Sequence, residues 1–540
     1  MTNHGEATVS TDVLVIGSGA AGMAAALTAA THGASVLLAE RAETVGGTSA
    51  VSGGIAWIPA HDRSGGDPLP VEDALAYLTS LSNGYNDPVL IDAFVRTGSQ
   101  AIDFVEQHSD LQFEVAPGYP DYKPEHPGGR PHGGRSLSPL PYDVTRLPHG
   151  APALTEFPRD FSNVGFDAET RARLNAGSAG RENIVVAGQA LIAPLLSGVI
   201  RAGVDIRTGW RARALMSEDD RVTGARFETS DGKRQVSANA VILAAGGFEW
   251  DPSLVRTFLR GPMHGPVSPP NNTGDALKMA MALGAALGNM REAWWVPVIQ
   301  IPGDTLGGQQ RSRSVRLERT RPRSIMVNSD GNRFVNEAAD YNSMIGAFHH
   351  IDVDRFTYPN DSAWIVFDHD HLDRYGFLAV PAGGEAPDWY NESPDLESLA
   401  AATGIDPAGL AHTVERWNAH AAALDDVDFH RGRSAYDGYW GDPEGSSTAE
   451  KTIGPIDKPP FFAVPVRAGA MGTKGGPLTD ADARVQHIEG TTIEGLYAAG
   501  NAMSGPTGMA YGGAGGTIGP AMVFGFRAGY HAATGKSVTG

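Results

Sequence analysis

The chain has 540 residues and a net charge of −20 at pH 7, from 42 basic and 62 acidic side chains. This length exceeds one ordinary hydrophobic core and predicts two domains, or one domain with a large insertion. The negative charge argues against nucleic acid as a partner, because phosphate backbones require clustered positive charge, and the absence of cysteine excludes disulfides, thiolate metal ligands and cysteine nucleophiles.

The first predicted element is a βαβ unit that ends at Glu40. The apolar run VLVI predicts a strand buried on both faces, and Gly17, Gly19 and Gly22 follow it as GxGxxG. These glycines permit a sharp turn, close approach of a pyrophosphate and tight packing of the next helix, whose N-terminus favours phosphate. Glu40 ends the second apolar run at the spacing of a carboxylate that holds ribose hydroxyls. The unit therefore predicts a dinucleotide site.

The segment after Glu40 favours FAD over NAD. RAETVGGTSAVSGGIAWIP contains glycine pairs at 46–47 and 53–54, with Thr48 and Ser49 between them. Glycine lets a ligand approach the backbone closely. A second such loop directly after the ribose carboxylate is more than NAD alone requires.

Two later strand-to-glycine junctions extend the predicted site. A strand at 241–243 leads to Gly246 and Gly247, and a short strand in IEGLYAAGNAM leads to Gly500. Open α/β sheets bind ligands at the carboxyl ends of their strands. Because these pieces lie far apart in the chain, the sequence predicts a discontinuous, Rossmann-like α/β domain that binds FAD.

The composition changes between these junctions. Aromatic residues, prolines and charges become frequent from about Trp294, which predicts an inserted α+β cap domain at 295–458 and an FAD-binding domain formed by 1–294 and 459–540. The basic run 311–323 fits either a solvated face or the mouth of an anionic site.

A lone tyrosine, Tyr511, precedes five glycines in AYGGAGGTIGPAM. The glycines fit a tight turn into a helix, but a phenol beside bare N–H groups also suits a ketone oxygen that gains negative charge as an enolate forms. No arginine is present in this loop to hold a dicarboxylate, which disfavours fumarate reduction.

Seven motifs together resemble the fumarate reductase-like FAD flavoproteins and, among them, the 3-ketosteroid Δ1-dehydrogenase group (3-oxosteroid 1-dehydrogenases). These motifs are GSGAAGMAAALTAA, GGTSAVSGG, LAAGGFE, RFVNEAADY, GTKGGPLTD, GLYAAGN and AYGGAGGTIGPAM. They cover nearly the whole chain in the expected order.

The resemblance implies roles for the candidate catalytic residues. Tyr511 O–H and Gly515 N–H would hold the C3 ketone oxygen, Tyr341 would remove the C2 proton, and FAD N5 would accept the hydride from C1. A further tyrosine of YPDY would assist Tyr341; Tyr122 fits this role better than Tyr119, although one sequence does not decide between them.

The predicted FAD-binding residues share bare or small side chains at strand ends and helix starts, or belong to the ribose carboxylate segment. They are Gly17, Gly19, Ala20, Ala21, Gly22, Glu40, Arg41, Gly46, Gly47, Thr48, Ser49, Ser52, Gly53, Gly54, Ala212, Ala245, Gly246, Gly247, Gly500, Asn501, Gly516, Thr517 and Ile518. Because RAETVGG lacks the histidine that some relatives join to FAD, non-covalent FAD is expected, and the scattered histidines indicate no metal site.

The resulting hypothesis is 1,2-desaturation of a hydrophobic ketone, most simply a 3-oxosteroid, with electrons passed to a quinone-type or artificial acceptor. The alternatives are desaturation of a smaller cyclic ketone, an enoate or fumarate-type reductase working in the opposite direction, and a flavin-binding protein without catalysis. No apolar run reaches the length of a membrane span and MTNHGEATVS lacks a signal pattern, so a cytoplasmic protein is expected.

Overall fold

The computed structural model describes residues 8–63, 68–156 and 183–539. Two β-sheets organise these residues. The first is a mixed sheet whose central strands are parallel and fully buried, as at Val13, Leu14 and Val15. Its strands, in spatial order, are Arg484–Gln486, Thr492–Ala498, Arg221–Thr229, Gly232–Leu243, Thr8–Ile16, Val36–Ala39 and Asp205–Arg207, and Arg211–Glu218 pairs with Arg221–Thr229.

The second sheet is built around one long strand, Phe461–Thr473, which is almost entirely buried. Its main strands, in spatial order, are Arg313–Ser314, Ala293–Ile299, Phe461–Thr473, Ala363–Asp368 and Ser324–Val327, and Gly265–Pro266 and Asn391–Ser393 also pair with Phe461–Thr473. The first sheet draws on both ends of the chain and the second on its middle. The predicted α/β class with a discontinuous Rossmann-like domain and an inserted domain is therefore confirmed.

The precise domain boundaries stay a prediction. Strand Phe461–Thr473 lies C-terminal to the proposed boundary at 459, yet it pairs within the second sheet. Its apolar sequence FFAVPV is equally suited to a buried strand of either sheet, so composition alone does not assign it.

Helices and short strands complete the described residues. The helices are Ala20–Thr31, Gly47–Ala50, Val71–Ser80, Pro88–His108, Ala187–Arg201, Pro252–Phe258, Asp275–Ala282, Leu317–Thr320, Ile345–Phe348, His369–Tyr375, Leu396–Thr403, Pro407–Ala423, Ala435–Tyr439, Thr448–Thr452 and Ile518–Thr534. The short paired strands are Ala56–Trp57, Phe113–Val115, Ser136–Pro139, Tyr142–Asp143, Ile184–Val185, Leu287–Gly288, Thr305–Leu306, Gln309–Gln310 and Gly476–Pro477. Among the described helices we find none whose length and apolar character would let it traverse a bilayer.

The first helix, Ala20–Thr31, packs closely against the C-terminal helix, Ile518–Thr534. A Cβ added at Gly525 would lie 2.3 Å from the Ala21 carbonyl oxygen, too close for any side chain. Small residues on both helices therefore bring the start of the dinucleotide unit into backbone contact with the end of the chain.

We predict that Gly525→Ala destabilises the protein by about 1–3 kcal/mol, because the added methyl group meets backbone that must shift. The matched control is Gly346→Ala, also within a helix but with no atom within 4 Å of the added Cβ; it should be neutral or stabilise by up to about 1 kcal/mol. Denaturant unfolding measures both changes. Equal stabilities for the two variants would contradict the close helix contact.

Candidate active site

The dinucleotide end of the site is built where strand Thr8–Ile16 meets helix Ala20–Thr31. Gly17 has φ +110°, and a Cβ there would lie 2.4 Å from the Ala244 carbonyl oxygen. The turn is thus open only to glycine. The Ala20 N–H at the helix start donates to the Ser49 hydroxyl at 3.1 Å, so the two predicted glycine-rich loops are joined here.

Glu40 follows strand Val36–Ala39 and is buried. Its carboxylate accepts hydrogen bonds from the Ser18 N–H at 3.0 Å, the Ser18 hydroxyl at 2.7 Å and the Ala42 N–H at 2.9 Å. Glu40 also lines the main cavity. Glu40 therefore holds the first glycine loop in place and is also positioned to contact a ligand in the cavity.

One cavity joins this end to the predicted catalytic residues. Four of the predicted FAD-binding residues, Gly22, Gly46, Gly247 and Gly516, do not line it, and all the others do. Bare backbone at a helix N-terminus, a buried carboxylate and apolar walls fit the pyrophosphate, ribose and ring system of FAD. Of the predicted set, these lining residues would hold the cofactor.

Three tyrosines from distant parts of the chain meet at the other end of the cavity. Tyr122, Tyr341 and Tyr511 are all buried. The hydroxyl oxygens of Tyr122 and Tyr341 lie 2.5 Å apart, and the Tyr511 ring lies 5.0 Å and 5.6 Å from the rings of Tyr122 and Tyr341. The Tyr511 hydroxyl lies 3.1 Å from the Thr517 hydroxyl. The predicted catalytic side chains are thus brought together.

Tyr119 also lines the cavity but occupies a different position. Its ring stacks on Tyr439 with centroids 4.4 Å apart, and it lies 6.5 Å from the Tyr122 ring. The hydroxyl that bonds to Tyr341 is that of Tyr122. The geometry therefore favours Tyr122 over Tyr119 as the partner of Tyr341.

The glycines after Tyr511 allow other segments of backbone to pack directly against this loop. Gly515 has φ +93°, and a Cβ there would lie 2.4 Å from the Ile55 carbonyl oxygen. Its own carbonyl accepts from the Trp57 N–H at 3.0 Å. Within the described residues the Gly515 N–H donates to no group. It lines the cavity together with Tyr511, as an oxygen-binding pair requires.

The loop bearing Tyr511 is held through its carbonyl oxygens. Gly512 O accepts from the Tyr77 hydroxyl at 2.7 Å and the Tyr122 N–H at 3.0 Å. The Lys474 ammonium donates to Ala510 O at 2.7 Å. Burial lowers the pKa of Lys474 to about 7, so these hydrogen bonds offset only part of the desolvation cost of its charged form.

The segments bearing Tyr122 and Tyr341 are joined by a neighbouring ion pair. Lys123 Nζ lies 2.8 Å from the buried carboxylate of Asp340. Burial raises the pKa values of both Tyr122 and Tyr341 well above the ordinary value, with Arg316 opposing the rise at Tyr341. Both phenols are therefore neutral at pH 7. The Arg316 cation would stabilise Tyr341 in its ionised form.

The basic run 311–323 is not a solvated face. Arg319 is buried and donates to the Ala339 carbonyl oxygen at 2.9 Å, which holds the segment before Tyr341. Arg323 pairs with Asp368 at 2.5 Å. Arg316 lines the cavity and was not among the predicted site residues. In the sequence, the only indication of a site role for Arg316 was that the basic run 311–323 could form the mouth of an anionic site.

Comparison with known proteins gives consistent matches over nearly the whole chain. The "FAD binding domain" family matches residues 12–518. A 4-oxocyclohexanecarboxylate 2-dehydrogenase from Sinomonas cyclohexanicum is 39% identical over 96% of this chain and 92% of that protein. A 3-oxosteroid 1-dehydrogenase from Mycobacterium tuberculosis is 37% identical over 97% of this chain and 98% of that protein.

A solved structure is also closely similar. The crystal structure of 3-ketosteroid delta1-dehydrogenase from Sterolibacterium denitrificans in complex with 1,4-androstadiene-3,17-dione has a TM-score of 0.90 and 32% identity, covering 98% of this chain and all of that chain.

We predict that Asp121→Asn destabilises the protein by about 3 kcal/mol. Asp121 pairs with buried Arg135 at 2.6 Å and accepts from the Trp57 indole at 2.9 Å. The amide would leave the Arg135 cation buried without its anion. Asp92→Asn is the control, because its pair with Arg96 is solvent-exposed and should contribute less than about 1 kcal/mol. Denaturant unfolding of the FAD-loaded protein compares them; equal losses would refute the buried pair's role.

Proposed function

We propose that this chain, which belongs to the FAD binding domain family and to its 3-oxosteroid 1-dehydrogenase group, introduces a carbon–carbon double bond beside a ring ketone. The chain is an FAD-dependent oxidoreductase that acts on CH–CH donors. The observation that carries the proposed mechanism is the meeting of Tyr122, Tyr341, Tyr511 and Gly515 on the cavity that fits FAD.

The ketone oxygen is held by two donors, the Tyr511 hydroxyl and the Gly515 N–H. Both are fixed by the surrounding backbone before any substrate arrives. Donors arranged in advance stabilise the negative charge that develops on the oxygen as an enolate forms. Polarising the ketone also acidifies the neighbouring C–H bond, which lessens the demand on the base.

Tyr341 accepts the proton from the carbon next to the ketone. Its hydrogen bond to Tyr122 stabilises the phenolate form and gives the proton a route away from the site. Bound FAD supplies the acceptor for the hydride that leaves the adjacent carbon. One proton and one hydride are thus removed, and their two carbons form the double bond. A quinone-type or artificial acceptor then reoxidises the flavin.

Two classes of ring ketone fit this chemistry. A 3-oxosteroid, desaturated between C1 and C2, is supported by the 37% identical relative and by the steroid-bound structure at TM-score 0.90. A smaller cyclic ketone is supported by the 39% identical relative named for 4-oxocyclohexanecarboxylate. The Tyr511–Gly515 pair holds only the ketone and does not distinguish ring number.

We predict that anaerobic addition of a saturated ring ketone bleaches the flavin absorption band. Tyr341→Phe should slow the bleaching by about 10²–10⁴-fold, the usual contribution of a general base. Tyr511→Phe should slow it by about 10²–10³-fold through loss of one oxyanion donor. Tyr439→Phe is the control, because Tyr439 stacks on Tyr119 outside the reacting group. If none of the ketones added to the wild-type protein bleaches its flavin band, the proposal is refuted.

The reaction rate should also rise with pH. Because burial raises the pKa of Tyr341 above its ordinary value, the ionised base is scarce at pH 7 and increases as the pH approaches that pKa. We expect the rate of flavin reduction to increase from pH 7 to about 9, up to tenfold per unit. Stopped-flow measurements in Tyr341→Phe should show no such rise; a rate that falls over this range would contradict Tyr341 as the base.

A further inference from the structure

Arg316 enters the tyrosine cluster from the basic run 311–323. It immediately precedes the short helix Leu317–Thr320, and its backbone N–H donates to the Glu318 carboxylate at 3.1 Å. The guanidinium carbon lies 5.2 Å from the centre of the Tyr341 ring. The side chain is half-buried and lines the same cavity as Tyr511 and Gly515. A permanent cation thus stands beside the proposed base.

This cation has no anion among the residues that the structure describes. The Arg316 Nε is buried and has no hydrogen-bond partner there, and none of the ion pairs found in these ranges includes Arg316. Other arginines of the run are differently placed, since Arg313 pairs with Asp304 at 2.6 Å and Arg323 with Asp368 at 2.5 Å. A cation removed from water without a partner is costly, so proteins normally pair it.

We propose that Arg316 binds a carboxylate on the substrate, which makes a small ring ketone acid the preferred substrate of this site. The inference rests on the proposed desaturation. The two Arg316 Nη atoms make no hydrogen bond among the described residues and are not buried like the Nε, so they present the planar pair of donors that suits a carboxylate. The missing anion then arrives with each substrate molecule, and the cation is neutralised only in the complex.

The dimensions support a monocyclic acid. Tyr341 is adjacent to both binding groups: its ring centre is 5.6 Å from the Tyr511 ring and 5.2 Å from the Arg316 guanidinium carbon. One six-membered ring with a ketone at one end and a carboxylate at the other would engage both while exposing its α-carbon to Tyr341.

The test compares 4-oxocyclohexanecarboxylate with its neutral methyl ester. Wild-type protein should reduce its flavin with both but strongly prefer the acid. Arg316→Met should lower kcat/KM for the acid on the order of 100-fold, mainly through KM, as expected for loss of a buried charge pair. The ester should lose no more than about tenfold, because it loses only the support that Arg316 gives to ionised Tyr341. Arg316→Lys should recover part of the preference, because it restores the charge without the fork.

Two controls separate the explanations. Arg355→Met removes a cation that is 61% exposed and should leave the acid preference unchanged. Cyclohexanecarboxylate, which has no ketone, should inhibit ester turnover competitively in the wild type, and its inhibition constant should rise in Arg316→Met. FAD content and thermal unfolding establish that each variant is folded.

The outcomes are distinguishable from failure of the proposed reaction. Equal losses for acid and ester in Arg316→Met would mean that Arg316 acts only through Tyr341, and would overturn the inference. A wild-type enzyme that desaturates a 3-oxosteroid or the ester as well as the acid would also overturn it while leaving desaturation intact. No flavin reduction by any ketone would instead refute the desaturase function.

Discussion

The hydrogen bond between the hydroxyls of Tyr122 and Tyr341 is the constraint on which the site depends. It requires a loop of the first third of the chain to meet a segment of the inserted region within 2.5 Å. Three supports make that possible: the Lys123–Asp340 pair beside it, Arg319 at the carbonyl of Ala339, and the bond from the Tyr122 N–H to Gly512 O. The first and third supports join segments that are distant in the sequence, whereas Arg319 holds the segment before Tyr341 from within the inserted region.

The same architecture explains how an apolar site handles charge. In the proposed mechanism phenols, rather than carboxylates, supply both the base and one oxyanion donor, and burial raises the pKa values of Tyr341 and Tyr511 so that both are neutral at pH 7. The cations nearby are treated in two ways. Lys474 is held by the carbonyls of the Tyr511 loop, whereas Arg316 faces the cavity with its Nε unpaired in the described part of the chain. Lys474 thus helps to hold the loop in place, and Arg316 is the cation that we propose binds the ligand.

Much of the fold was predictable because its signals are local. GxGxxG after an apolar run predicts the sharp turn found at Gly17, and the glycines after Tyr511 predict a tight turn, which is found at Gly515 with φ +93°. Tertiary placement was not predictable in the same way. In the basic run, nothing in the sequence separates Arg313, which pairs with Asp304, from Arg316, which has no ion-pair partner among the described residues. The sequence also did not predict that strand Phe461–Thr473 belongs to the second sheet, because its apolar pattern fits either sheet.

The contact between the first and last helices has a consequence for the order of folding and cofactor binding. The cofactor cavity is lined by residues from Ile16 to Ala521, and the last of them belong to a helix whose Gly525 rests on the backbone of Ala21. The βαβ unit alone therefore forms only one side of the cavity. A complete flavin site requires helix Ile518–Thr534 to have packed against helix Ala20–Thr31, so the cofactor can stabilise that long-range contact only after it has formed.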